Sequence, residues 1–193
     1  MNIKIIAFTV AAIVGTVQSR AQGTVFVYDQ QSSTESNVQE GYLGIQSYQL
    51  AQSFTPSLNA VGFVRMDLLA NGPATLDVVL HANSLTGPVI GTSEQVTLQS
   101  GFAGFVNFYF DTPASVTPGT MYYFQPVVLP GGSDVATYTS RFYNYTGGAA
   151  FYQGTASSTD DLWFREGIIV PEPSTWALLL MCAGALWFLR RKL

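Results

Sequence analysis

Hydrophobic and polar positions alternate with a period of two through most of the chain, and a period of two is the signature of strands with one buried face. Val64, Met66 and Leu68 share one face of a run whose other face carries Arg65 and Asp67. Leu76, Val78 and Leu80 lie together opposite Asp77 and His81, and Val106, Phe108 and Phe110 opposite Asn107 and Tyr109. The pattern predicts strands at about 24–28, 48–54, 61–69, 74–82, 89–98, 104–110, 121–129, 136–143, 149–152 and 162–169. Val, Tyr, Phe and Thr fill these runs, and Gly, Pro, Asn and Ser punctuate them. No window of ten residues holds a helical period. Many short, evenly spaced strands point to an all-β fold, an antiparallel β-sandwich.

The turns are legible too. Thr117-Pro118-Gly119-Thr120 and Pro130-Gly131-Gly132-Ser133 carry Pro and Gly where tight turns need them. Asn71-Gly72 looks like a two-residue hairpin turn, but that register would place Met66 opposite Asp77 and mix the faces. A three-residue loop, Asn71-Gly72-Pro73, sets Met66 across from Val78 and Val64 across from Leu80. The parity therefore predicts a hairpin with Asp67 and Asp77 as neighbours. Pro126 has no N–H to give a ladder, so its strand is expected to be interrupted there or to lie at an edge.

Both ends depart from this alternation. Lys4 and the apolar run from Ile5 to Val17, followed by Ser19 and Ala21, read as a secretory signal peptide over residues 1–21, cut before Gln22. The general secretion machinery is then a partner. At the other end Pro171, Glu172 and Pro173 break the chain ahead of an apolar helix, expected as a transmembrane segment over 174–189. Sixteen residues reach only about 24 Å, short of a hydrocarbon core of about 30 Å. Such a helix suits transient retention in the inner membrane better than a lasting anchor. Arg190, Arg191 and Lys192 form a basic tail (190–193) that holds the cytoplasmic side.

A Pro-Glu-Pro motif, an apolar helix and a terminal Arg cluster together resemble the PEP-CTERM sorting signal of Gram-negative bacteria, over residues 170–193. Members of that family are exported and handled by exosortase, an integral-membrane cysteine peptidase of transpeptidase type. The resemblance implies exosortase as a partner and an association with exopolysaccharide. It further implies an inner-membrane intermediate with the domain outside the cytoplasm, then a place on the cell surface or in the matrix. Pro171, Glu172 and Pro173 would be its sorting motif.

Residues 22–169 remain as one β domain, long enough to bury a core. Three arginines face eleven acidic side chains there, a formal charge of −8 with no lysine. That surface repels phosphate backbones, so nucleic acid is not an expected partner. The one cysteine, Cys182, lies in the apolar tail, so no disulfide staples the domain. The strand succession from AQSFTP (51–56) through VNFYFDTPASVTPGTMYYF (106–124) to DLWFRE (161–166) is similar to secreted bacterial jelly-roll domains akin to carbohydrate-binding modules. That resemblance implies a jelly-roll-like sandwich.

Catalytic chemistry finds little to stand on. His81 is the only histidine and no Gly-x-Ser-x-Gly elbow occurs. One histidine without a cysteine partner does not make a zinc site, and no metal ligands are assigned. Calcium is a candidate through loop carboxylates, with no ligands assignable. The expectation is a non-enzymatic exported envelope or matrix protein without a cofactor. The alternative is a carbohydrate-binding, lectin-like module on the same tail. Aromatics cluster in the last third, and Tyr143, Tyr145, Tyr152 and Trp163 are the candidate glycan contacts, if they face solvent.

Overall fold

The computed structural model describes residues 24–36, 41–143 and 145–171. The expected signal peptide, Glu172, Pro173, the apolar helix, Cys182 and the basic tail lie outside the described residues.

Residues Phe26–Ile169 form one compact unit, built of two antiparallel sheets. The chain begins with β1 (Thr24–Gln31), β2 (Tyr42–Gly44) and a single helical turn, α1 (Ile45–Tyr48). It continues through β3 (Ala51–Phe54), β4 (Ala60–Ala70), β5 (Ala74–Ala82), β6 (Val89–Thr92) and β7 (Val96–Leu98). Then come β8 (Phe102–Ser115), β9 (Tyr122–Val128), β10 (Val135–Ser140), β11 (Ala150–Tyr152), β12 (Thr155–Ala156), β13 (Asp161–Leu162) and β14 (Phe164–Pro171). The first sheet runs β1-β14-β4-β10-β13, with β8 on β4 and β2 on β10; the second runs β12-β11-β3-β9-β5-β6, with β7 on β5. The sandwich expected from the alternation is present.

The expected hairpin is not. The three-residue loop 71–73 exists, but β4 and β5 do not pair: β4 bonds to β8, β14 and β10, and β5 to β9, β6 and β7. The loop carries the chain from one sheet to the other. Val64, Met66 and Leu68 therefore meet Leu76, Val78 and Leu80 within one buried core rather than along a shared ladder. Parity is satisfied equally by both arrangements, because it reports which face is buried and not what covers it. Asp67 and Asp77 consequently belong to different sheets.

Two irregularities set the geometry of the first sheet. β4 keeps β8 along one edge, while β14 takes Phe63–Met66 and β10 takes Leu68–Ala70 on the other. β10 and β4 thus diverge beyond the Thr137–Leu68 pair, and the chain from Leu162 to Phe164 enters the fork. Trp163 sits at its apex, its N–H donating to Tyr138 O at 2.8 Å. Below it, Thr137 Oγ1 donates to Asp67 O at 2.9 Å.

In the second sheet Pro126 lies opposite Val78. The N–H of Val78 donates to Ser93 Oγ and its carbonyl accepts from Ser93 N, each at 2.9 Å, so its backbone turns away from β9. Pro126 therefore removes no bond from that ladder. On its other side β3 pairs only as far as Phe124, which makes β9 a local edge at the proline, as its chemistry requires. The predicted turn at 117–120 closes with Thr120 N donating to Thr117 O; the turn expected at 130–133 closes one residue earlier, over 129–132, with Gly132 N donating to Leu129 O. Gly119 and Gly131 take the positive φ that such turns need, at 78° and 86°.

Candidate functional site

The outer face of the first sheet gathers the domain's unusual chemistry. Read across the strands, Phe105 of β8 stands opposite Asp67 of β4, and Tyr138 of β10 opposite Tyr42 of β2. Trp163, at the fork, brings its ring to 4.6 Å from that of Phe105. The guanidinium of Arg65 lies 5.1 Å from the other ring's centroid, on Phe105. In the next row Ala103 pairs with Leu69, Leu69 with Ala136, and Ala136 with Gly44. A cavity of about 330 Å³ opens here, lined by Phe105, Asp67, Tyr138, Tyr42 and Glu35 together with Leu69, Ala103 and Gly104.

Electrostatics in this face is nearly balanced. Glu35 bridges two arginines, with Oε2 2.6 Å from Arg165 Nη1 and Oε1 3.2 Å from Arg65 Nε. Its own burial works against ionisation, but the hydrogen bonds and both cations win and lower its pKa. Arg165 also lies over the Tyr28 ring at 3.4 Å. Asp67 is 4% exposed; desolvation raises its pKa despite the nearby Arg65 charge. The hydroxyls of Tyr42 and Tyr138 are 2.6 Å apart, and that hydrogen bond, with burial, raises Tyr138.

The four rings singled out from the sequence fall elsewhere. Trp163 is fully buried and Tyr143 is 2% exposed, so neither offers a face to solvent. The indole N–H of Trp163 donates to Thr34 O at 3.3 Å. Tyr145 packs edge-on against Phe164 at 5.2 Å and accepts the Thr55 N–H on its hydroxyl. Tyr145 and Tyr152 are half-buried against the core, and burial pushes both up to about 12. Packing accounts for Trp163 and Tyr143, while Tyr145 and Tyr152 keep part of their surface open. Among the described residues the exposed rings are Tyr42, Tyr48 and Phe142. The outer-face row escaped the sequence because it is assembled from β2, β4, β8 and β10. The one local hint was the polar alternation of β8.

Other groups of interest stay separate. The Nδ1 of His81 is 3.0 Å from Gly87 O, a loop contact. Glu166 is completely buried, and neither carboxylate oxygen has a hydrogen-bond partner among the described residues. Burial, and then the negative Asp29, push its pKa up to about 9, so it is protonated at neutral pH. No group of three or more His, Cys, Asp or Glu side chains is gathered for a metal among the described residues. A larger depression, about 620 Å³, lies between β6 and the end of β8, with Asp111 its one charged lining group and no ring.

The chain enters the unit on β1 and leaves it on β14, its immediate neighbour in the sheet. Ser32 N donates to Phe164 O, and Gly167 lies against the Val27 carbonyl, so the two strands run antiparallel. Entry and exit are therefore at one end of the sandwich. β14 itself continues to Pro171, the first proline of the Pro-Glu-Pro motif. No curated protein matches the chain. Residues 170–192 match the PEP-CTERM protein-sorting motif. The C-terminal segment therefore carries a PEP-CTERM sorting motif, which supports an exported protein sorted by an exosortase.

Proposed function

We propose that this protein is a non-enzymatic component of the cell surface or extracellular matrix, held briefly at the inner membrane by its tail and then released by exosortase processing. The sorting-motif match at residues 170–192 carries this reading. The fold supplies a disulfide-free sandwich whose sequence is strongly acidic, with three arginines against eleven carboxyl side chains, suited to remaining soluble among matrix polymers.

Mass spectrometry of the mature C-terminus, in cells with and without exosortase, tests it. A tail lost only when exosortase is present is the expected result. An intact tail in both strains overturns the proposal.

A second reading makes the same domain a carbohydrate-binding module in contact with exopolysaccharide. The observation that favours it is the Tyr42–Tyr138 hydroxyl pair beside a buried carboxylate on an open sheet face.

A further inference from the structure

We propose that the trough across the outer face of the first sheet, bounded by Phe105, Asp67, Tyr138 and Tyr42 and by Leu69, Ala103 and Gly104, binds a neutral glycan. This deepens the carbohydrate-binding reading and rests on it.

The shape comes from the register. Ala103 and Gly104 of β8 leave a hollow beside Phe105, Asp67, Tyr138 and Tyr42, with Leu69 of β4 also lining it. Its about 330 Å³ falls in the range of about 300–1,000 Å³ typical of small-molecule sites. Ala103 is exposed, and the groove is therefore open at β8. Tyr42, 48% exposed, forms the opposite lip.

The chemistry selects a polyol. Two tyrosine hydroxyls hold two donor protons, and their mutual hydrogen bond uses one. One O–H and several lone pairs remain for a ligand hydroxyl. The Asp67 carboxyl, set between the Phe105 ring and Tyr138, offers acceptors to further hydroxyls. The exposed ring of Tyr42 suits the C–H face of a pyranose.

Charge narrows the class. An anionic polymer meets Asp67 and Glu35 on a domain of charge −8. A small cation meets Arg65 and Arg165, which already saturate Glu35. A neutral saccharide meets neither repulsion.

The test is native affinity electrophoresis of the full chain in detergent through gels holding a xylan, a β-1,3-glucan, a galactomannan or, as the anionic arm, alginate. At least one neutral polymer should retard the wild type. Tyr42→Ala should weaken that retardation about tenfold, and Ala103→Trp, which fills the groove from an exposed position, should abolish it. Circular dichroism of both variants should match the wild type. Wild type unretarded by every neutral polymer, or retarded only by alginate, overturns the binding reading and the trough together. Wild type retarded by a neutral polymer with both variants unaffected leaves carbohydrate binding standing and overturns the trough.

Discussion

Gln52 of the second sheet and Asp161 of the first are joined across the sandwich: Gln52 Nε2 donates to Asp161 Oδ1 at 2.8 Å, while Gln52 Oε1 accepts the Leu162 N–H at 2.8 Å. Gln52 is fully buried and Asp161 is 4% exposed. One amide thus satisfies a carboxylate and a backbone donor on the opposite sheet, at the entrance to the fork that Trp163 fills.

Replacing Gln52 by Leu keeps the volume and removes both bonds. A buried donor or acceptor left unsatisfied costs about 1–3 kcal/mol, more when charged. Urea denaturation of Gln52→Leu should show a loss of about 2–4 kcal/mol. A loss below about 1 kcal/mol would mean that the cross-sheet bonds do not form.

Stability should rise on mild acidification. Asp161 is raised to about 6 by burial, against its hydrogen bonds from Gln52 and Tyr145, and Glu166 to about 9. A carboxyl raised on folding gives its full stability below its unfolded pKa, 3.8 for Asp and 4.5 for Glu, and loses it as pH climbs through the folded value. Thermal unfolding should therefore occur at higher temperature at pH 5 than at pH 8. Asp29 and Glu35 are lowered and act in the opposite sense, below their ordinary range. Glu166→Gln should flatten the slope between about pH 5 and 9, and Glu166→Met should raise the midpoint at pH 8.

Two aromatic substitutions separate packing from surface. Trp163→Ala empties a fully buried site and should cost about 3–5 kcal/mol. Tyr42→Ala, at the exposed lip of the trough, should cost no more than about 1 kcal/mol. Equal effects in chemical denaturation would contradict their placement.

Gly167 lets β1 and β14 approach. A Cβ there would stand 2.0 Å from Val27 O and 3.0 Å from Tyr28 Cα. The rings of Phe26 and Tyr28 close over the same place against Phe63, with centroids at 5.0 and 5.6 Å. Gly167→Ala should destabilise by about 1–3 kcal/mol and expose β1 to proteolysis, read as early nicking near residues 26–31. Unchanged protection would show that the strands tolerate a wider spacing.

Alternation along single runs already located β4, β5, β8 and β9 and identified their buried faces. The Pro and Gly turn at 117–120, and to within one residue the one at 129–132, followed from local backbone chemistry. The Pro-Glu-Pro motif was legible for the same reason, being contiguous in the chain. What alternation did not hold was partnership. Leu68 and Leu76 are apolar whether their strands lie side by side or face to face, and only competition for the edges of β4, filled by β8, β14 and β10, sent β5 to the other sheet. Trp163 and Tyr143 are aromatic like sugar platforms, yet both are buried, Trp163 in the fork between β4 and β10. Tyr42 and Tyr138, 96 residues apart, meet because β2 docks on β10. Burial and cross-strand contact depend on the whole arrangement of strands, so these were decided by the tertiary structure, while strand position and sorting motif were set by the sequence itself.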